Sequence, residues 1–139
     1  MPDNPGTSSI LAVAASGMRA QQARMRIIAE NLANSDSTAK TPDGDPYRRR
    51  EPVFQPTKVD GGAEGVKMAK VVSDQTPFRT EYLPGHPAAD KTGYVKLPNV
   101  DPLVEALDMR EAQRAYEANL NVIETAGAMD NATLAILKT

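Results

Sequence analysis

The amino-acid sequence predicts a mainly α fold, in which long N- and C-terminal helices form a coiled-coil-like pair and flank a small β-containing middle insertion. Most alanines lie in 8–33 and 101–137, whereas most prolines, glycines and aromatic residues lie in 41–99. In both alanine-rich stretches, apolar residues recur at alternating steps of three and four, which is the spacing of a coiled-coil seam. We therefore expect 1–40 and 100–139 to form one discontinuous helical domain, and 41–99 to form a middle region of β-hairpins and extended chain.

The first helix is predicted over residues 8–33. Ser8 or Ser9 is the expected N-cap, because a serine hydroxyl can accept hydrogen bonds from the backbone N–H groups of the first turn. Asn34 begins a short polar stretch that favours a turn and should end the helix. The predicted seam is apolar except for one glutamine and consists of Leu11, Ala14, Met18, Gln21, Met25, Ile28 and Leu32.

The second helix is predicted over residues 102–137. Asp101 is an N-cap residue followed by Pro102 at the first helical position, a typical helix start. Its predicted seam consists of Ala106, Met109, Gln113, Tyr116, Leu120, Ile123, Gly127, Asp130, Leu134 and Leu137. A second apolar row lies beside it and consists of Val122, Ala126, Met129 and Ile136. Two rows make a broad apolar face, which indicates contacts with more than one neighbouring helix.

The middle segment contains short β-favouring runs separated by glycine, proline and aspartate. These runs are 53–54, 65–72, 78–83 and 94–97. They predict a small β lobe of hairpins or extended connections. A lobe of this size is marginally stable alone, so we expect it to be supported by the helices or by partners.

Charge and cysteine content exclude several function classes. The chain has 16 Lys and Arg against 18 Asp and Glu, which gives no overall attraction to nucleic acid, and it has no cysteine for disulfides, thiolate metal sites or nucleophiles. The apolar run at 10–15 is too short for a signal-peptide core or a membrane span, so we expect neither a cleaved signal nor membrane insertion. The first helix is net positive and the second net negative, so they should attract each other, within one chain or between subunits.

Candidate catalytic residues are scarce. The single histidine, His86, lies between prolines near Asp90 without the spacing of a metal site, and we interpret it as a turn residue. No glycine cluster has the pattern of a phosphate-binding loop. We therefore expect no enzyme activity, no cofactor, no metal and no small-molecule substrate. The one basic cluster, 48–50, indicates a protein contact rather than a nucleic-acid contact, and the alternative is an exposed turn beside acidic residues.

Several motifs resemble a known family. Ser-Gly-Met at 16–18 and Ala-Glu-Asn-Leu-Ala-Asn-Ser at 29–35 are similar to the N-terminal signature of bacterial flagellar axial proteins, which are the rod, hook and hook-associated components. Further blocks resemble the proximal rod subunits of that family, and in chain order they are 44–50, 74–79, 82–90, 93–95, 98–101 and 114–119. The resemblance covers about residues 8–137.

The resemblance implies a structural subunit of the bacterial flagellar basal body. In that family the terminal helices pair in the inner tube of the rod, the middle domain lies outside it, and the chain is exported through the type III apparatus without signal cleavage. The implied partners are other rod proteins, copies of the same chain, and the rod/MS-ring junction with its surrounding ring proteins. Asp108, Arg110 and Glu111 make the start of the second helix more charged than the family pattern.

We predict that assembly uses both terminal helices and the basic cluster. The predicted interface residues are Leu11, Met18, Met25, Ile28, Asn31, Leu32, Asn34, Arg48, Arg49, Arg50, Met109, Tyr116, Asn119, Leu120, Ile123, Leu134 and Leu137. Because the chain is poor in large apolar side chains, we also expect the terminal helices to be partly disordered in the free subunit and to order on assembly. The alternative function is a soluble helical adaptor or export chaperone that binds partner helices.

Overall fold

A computed structural model describes residues 5–138 and confirms the predicted fold class. Two long helices flank four short strands. In chain order the elements are α1 (Pro5–Ala33), β1 (Arg50–Lys58), β2 (Glu64–Ser73), β3 (Arg79–Tyr82), β4 (Tyr94–Leu97) and α2 (Pro102–Leu137).

The start of α1 differs from the sequence prediction. The helix already begins at Pro5, so Ser8 and Ser9 lie inside it and the predicted serine N-cap is wrong. A proline is tolerated at the first helical position because its missing N–H would have no partner there. The predicted end is confirmed, since the side-chain amide of Asn34 donates to the carbonyl of Glu30 at 2.8 Å and Ser35 continues the turn.

The start of α2 agrees with the prediction. Asp101 is the N-cap, and its carboxylate accepts a hydrogen bond from the backbone N–H of Leu103 at 3.0 Å. Pro102 follows at the first helical position. A capping bond of this kind stabilises a helix by about 1 kcal/mol and sets where the chain turns into α2.

The middle region forms two separate antiparallel pairs of strands. β1 pairs with β2 in a register that runs from Arg50 opposite Ser73 to Lys58 opposite Glu64, with an irregularity after Val53. β3 pairs with β4. All four predicted β-favouring runs therefore overlap strands, although β1 extends well beyond the predicted 53–54 and β3 is one residue shorter at each end than the predicted 78–83.

The β1–β2 hairpin lies along α1. The Ser16 hydroxyl accepts a hydrogen bond from the backbone N–H of Val66 at 3.1 Å, halfway along the helix. A Cβ at Gly65 would lie 2.5 Å from the same hydroxyl oxygen, so only glycine allows this close approach. The helix therefore supplies the support that the middle segment was expected to need.

The two helices pack antiparallel. Gly17 approaches Asn119, Arg24 pairs with Glu111, and Asn31 bonds to Glu105, so residue numbers rise on α1 as they fall on α2. Half of the buried apolar residues are alanines, and the full set is Ala14, Ala20, Ile27, Ile28, Ala88, Val95, Leu97, Val100, Ala112 and Ala126. The core thus follows the α1–α2 contact and continues under β4 into the start of α2.

Candidate functional site

The α2 side of the helix contact is displaced from its predicted position. The buried residues are Glu105, Ala112 and Ala126, each one residue before a predicted seam position, while Ala106 and Gln113 are exposed. Met109, Tyr116 and Ile123 remain half-buried, as the seam prediction requires. Four of the ten predicted seam residues are therefore wrong, since Leu120 and Leu137 are exposed as well, and the buried face of α2 lies about one residue earlier than predicted.

On α1 the predicted seam agrees better with the structure, since Ala14 and Ile28 are buried and no seam residue is exposed. A Cβ at Gly17 would lie 2.8 Å from the side-chain nitrogen of Asn119, which marks a tight approach of the two helices. Met18 and Met25, at the predicted seam, are only half-buried. Small residues at the contact bring the backbones together and leave the large apolar side chains beside it. Gly127, by contrast, has no other side chain or backbone atom within 4 Å of an added Cβ.

The predicted interface residues consequently occupy three environments. Ile28 and Asn31 are buried. Arg50, Leu120 and Leu137 are exposed. The half-buried members are Leu11, Met18, Met25, Leu32, Asn34, Arg48, Arg49, Met109, Tyr116, Asn119, Ile123 and Leu134.

A polar cluster joins both helices to the hairpin, and we name it the junction cluster: Asn31, Arg49, Asp74, Asn99 and Glu105. Asn31 uses both ends of its side-chain amide. Its oxygen accepts from the Tyr47 hydroxyl at 2.7 Å and from the Arg50 backbone N–H at 3.0 Å. Its nitrogen donates to the Arg50 carbonyl at 2.9 Å and to Glu105 at 3.4 Å. One side chain thus fixes the end of α1 against β1 and α2.

Glu105 is the charged centre of the junction cluster. Its side chain is 0% exposed, and it accepts a hydrogen bond from Nε of Arg49. The same guanidinium also pairs with Glu51, with Asp74 at 3.3 Å and with Asp108 at 3.5 Å. Burial alone lowers the pKa of Arg49, but the bond and charge of Glu105 together with Glu51 outweigh it and raise the pKa. Arg49 therefore stays charged and ties β1 to the first turns of α2.

Asn99 and Asp74 complete the junction cluster. The Asn99 oxygen accepts from the Arg49 backbone N–H at 2.7 Å, and its nitrogen donates to the Asp74 carbonyl at 3.0 Å. Asp74 accepts from the Thr76 backbone N–H at 2.8 Å, and bonds from Thr76 and then from Arg49 lower the pKa of its carboxyl. The chain entering α2 is therefore held to the end of β2.

The basic cluster at 48–50 is engaged mainly inside the chain. Arg48 donates to the Asp74 carbonyl at 2.9 Å and lies 4.1 Å over the Phe78 ring, a cation–π contact. Arg49 belongs to the junction cluster. Arg50 lies on the surface, where it pairs with Glu30 at 3.3 Å. Of the three guanidinium groups, that of Arg50 is thus the most accessible to another protein.

The second apolar row of α2 is largely uncovered. Val122, Met129 and Ile136 are 42%, 65% and 73% exposed, whereas Ala126 of the same predicted row is buried. Beside α1, part of this row lines a groove of about 310 Å³ whose other wall includes Ile10, itself exposed. The end of the helix pair far from the junction cluster therefore presents apolar side chains to its surroundings.

The candidate residues for metal or catalytic chemistry, His86 and Asp90, lie in turns. Residues 5–138 contain no group of three or more acidic or histidine side chains that could hold a metal ion. His86 lies in a turn, where its Nδ1 accepts from the Ala88 backbone N–H at 3.0 Å. Asp90 accepts from the hydroxyl and backbone N–H of Thr92, again within a turn. His86 and Asp90 thus serve local chain geometry, as the sequence predicted for the histidine.

Both ends of the chain match families of flagellar rod proteins. Residues 11–39 match the family described as "Flagella basal body rod protein". Residues 91–136 match the family described as "Flagellar basal body rod FlgEFG protein C-terminal". These two ranges contain most of α1 and α2.

Individual relatives extend the similarity across the middle region. The chain is 47% identical over 128 residues to the flagellar basal-body rod protein FlgC of Agrobacterium fabrum, covering 91% of each chain. It is 43% identical over 129 residues to FlgC of Salmonella typhimurium, covering 92% of this chain and 96% of that one. It is 40% identical over 151 residues to FlgC of Borreliella burgdorferi, covering 96% and 99% respectively. The chain belongs to the FlgC family of flagellar basal-body rod proteins.

Membership of the FlgC family confirms the predicted role and location. The chain is a structural protein of the bacterial flagellar basal-body rod, and it assembles with other components of that rod. The rod prediction is thereby favoured over the adaptor or chaperone alternative. No helix within residues 5–138 is both long enough and apolar enough to cross a membrane.

Sequence reasoning missed three members of the junction cluster in this FlgC-family chain. Asp74 and Asn99 lie between predicted elements, where nothing in the pattern distinguishes them from other polar residues. Glu105 has the pattern only of an acid in the first turn of α2, which is common at helix starts. The signal that the sequence does contain is the spacing, because Glu105 lies four residues before Met109 and residues four apart share one face of a helix.

Proposed function

We propose that the chain is a subunit of the proximal rod and assembles through α1 and α2 with copies of itself and with other rod proteins. The helices, with their flanking residues, form the discontinuous assembly domain 1–40 and 100–139. The middle region 41–99 faces outward, toward the rod/MS-ring junction or the ring proteins around the rod. The chain is exported without signal cleavage and is not an enzyme.

The exposed row of Val122, Met129 and Ile136 carries this proposal. Apolar side chains of this size contribute about 1.5–3 kcal/mol each when they are fully buried, and most of that gain is still available where the side chain is more than half exposed. Three such residues on one side of one helix form a patch that favours packing against another helix. The half-buried Leu11, Met18 and Met25 add apolar surface on α1.

The predicted interface residues then divide into two groups with different contributions. We assign direct contacts with neighbouring subunits to the exposed and half-buried members on the helices, and to Arg50. We assign Ile28, Asn31, Arg48 and Arg49 to the internal framework that holds the helices at the angle the assembly requires.

The test is complementation of a strain that lacks this gene. The chain with Met129→Asp and Ile136→Asp should fail to restore swimming, because two carboxylates would have to be buried between helices. Asn131→Asp adds a charge to an exposed polar position on the same helix and should restore swimming. Export of each variant is measured in parallel, and rods are sought in isolated basal bodies by electron microscopy. Normal swimming and normal rods with the double variant would contradict the proposal.

A further inference from the structure

Several exposed charges on the two helices have no ion-pair partner in the described part of the chain, and four of them form two matching pairs. Arg19 and Arg26 lie on α1, and Glu117 and Glu124 lie on α2. The ion pairs found within residues 5–138 use other basic groups, and on α1 the attraction to α2 is carried by Arg24 alone. The opposite charges that the two helices carry are therefore only partly used within the subunit.

The two pairs of charges have the same spacing. In each pair the residues are seven positions apart, which is close to two helical turns and roughly 10 Å along the axis. Arg19 and Arg26 therefore share one face of α1, and Glu117 and Glu124 share one face of α2. Two rigid helices that meet at one of these pairs can also meet at the other.

Subunit polarity selects one of the two possible directions. Identical subunits that join head to tail all point the same way, and such a contact produces a ring or a helical filament. Since α1 and α2 are antiparallel within the chain, α1 of one copy is also antiparallel to α2 of the next. In that direction Arg19 faces Glu124 while Arg26 faces Glu117.

The residues between and beyond these charges are compatible with the same register. Gln22 faces Asn121, so two exposed amides meet. Arg114 faces Ala29, and Arg110 faces Ala33, and both alanines are exposed. The register therefore brings no two like charges together along this contact, and small residues lie opposite the two arginines of α2.

We propose that a second copy of this chain binds this α1 face through its α2, with Arg19 paired to Glu124 and Arg26 paired to Glu117. This inference rests on the proposed self-assembly and specifies its partner and register. Within the chain Gly17 is level with Asn119 along the helix axes, whereas in the proposed contact residue 17 is level with position 126 of the other copy. The seven-residue difference corresponds to an axial shift of roughly 10 Å between neighbouring copies.

Reciprocal charge reversal tests the pairing. Arg19→Glu with Arg26→Glu should reduce swimming of the complemented strain at least about fivefold, because two attractive contacts become repulsive. Glu117→Arg with Glu124→Arg should do the same. The four substitutions together restore the attraction and should restore swimming. Full swimming with either double variant, or no recovery in the quadruple variant, would overturn the proposal.

Arg110→Glu is the matched control, because it reverses an exposed charge on α2 that faces an alanine in this register. It should leave swimming unchanged, and a loss as large as that of either double variant would overturn the register. Circular dichroism of each purified variant establishes that the charge changes leave the fold intact. If these variants swim while Met129→Asp with Ile136→Asp does not, the assembly role stands and the register is refuted.

A crosslink gives an independent measurement. The chain contains no cysteine, so Gln22→Cys with Asn121→Cys introduces the only two thiols. Oxidised basal bodies should then contain covalent dimers and longer linked chains of this protein, since the two thiols of one copy meet thiols of two different neighbouring copies. Gln22→Cys with Gln113→Cys, which are not opposed in the proposed register, should give no dimer. Absence of dimer from the first variant, or equal dimer from both, would overturn the proposal.

Discussion

Replacing Glu105 by alanine should destabilise the subunit by about 2–4 kcal/mol. The side chain is completely buried and binds both Nε of Arg49 and the side-chain amide of Asn31. Removing one partner of a buried ion pair typically costs about 3–5 kcal/mol. The expected loss is somewhat smaller here, because Arg49 keeps contacts with Asp74 and other carboxylates and is 18% exposed.

Urea unfolding of the purified chain, followed by circular dichroism, measures this loss. Glu105→Gln keeps hydrogen-bonding groups but removes the charge, so it should lie between the wild type and Glu105→Ala. Glu111→Ala is the matched control, since Glu111 pairs with Arg24 at 3.4 Å but is 71% exposed. It should cost at most about 1 kcal/mol. Equal losses for Glu105→Ala and Glu111→Ala would refute the reasoning that burial makes the junction cluster important.

Three further predictions concern two glycine substitutions, the loss of stability at low pH, and the local order of α2 in the free subunit. Gly17→Ala should destabilise the chain by about 1 kcal/mol, because the added Cβ meets the side chain of Asn119. Gly127→Ala should stabilise the chain by up to about 1 kcal/mol, because no atom lies close to the added Cβ there. Urea unfolding measures both changes. The pKa of Asp74 is lowered from 3.8, so its contribution to stability is present above that pH and lost as pH falls below it. Asp74→Asn should remove this part of the acid dependence in an acid titration. In hydrogen exchange on dilute subunit, amides near Glu105 should be protected and those in the last two turns of α2 should exchange fast.

The outcomes that contradict these three predictions are distinct. A stabilising Gly17→Ala would mean that the helices separate easily at that point. An acid titration of Asp74→Asn that matches the wild type would mean that Thr76 does not hold the carboxylate in its charged form. Uniform protection along α2, with cooperative unfolding of the whole helix content, would contradict the expected partial disorder of the free subunit.

The sequence predicted the elements well because local signals determine them. Asp101 followed by Pro102 marks a helix start by capping chemistry alone. Apolar residues at alternating steps of three and four predict each of the two helices independently of the other. Four short β-favouring runs predicted four strands. These features need only neighbouring residues, so a single sequence contains them.

The orientation of the helices could not be predicted in the same way. Periodicity favours Leu11, Met18 and Leu120 as seam residues because they are large apolar side chains at positions of the three-and-four repeat. The structure instead places Gly17, Asn119 and other small or polar residues at the closest approach. Which residues lie at the helix contact depends on how closely the two backbones approach and on the hydrogen bond between Asn31 and Glu105. Both involve residues that are far apart in the chain.

The two ends of the helix pair therefore have different roles, since one fixes the structure of the subunit and the other provides apolar surface for contacts between subunits. At the junction cluster, charged and amide groups are satisfied inside the chain, and such bonds specify geometry more than they add stability. At the opposite end, Met129 and Ile136 are exposed and have apolar area still to bury. Defects at the junction cluster should change the angle at which α2 is presented, whereas defects at the far end should weaken adhesion without changing that angle. Binding between subunits depends on the angle at which α2 is presented. The loss of assembly in the double variant Glu105→Ala with Met129→Asp should therefore exceed the sum of the losses in the two single variants.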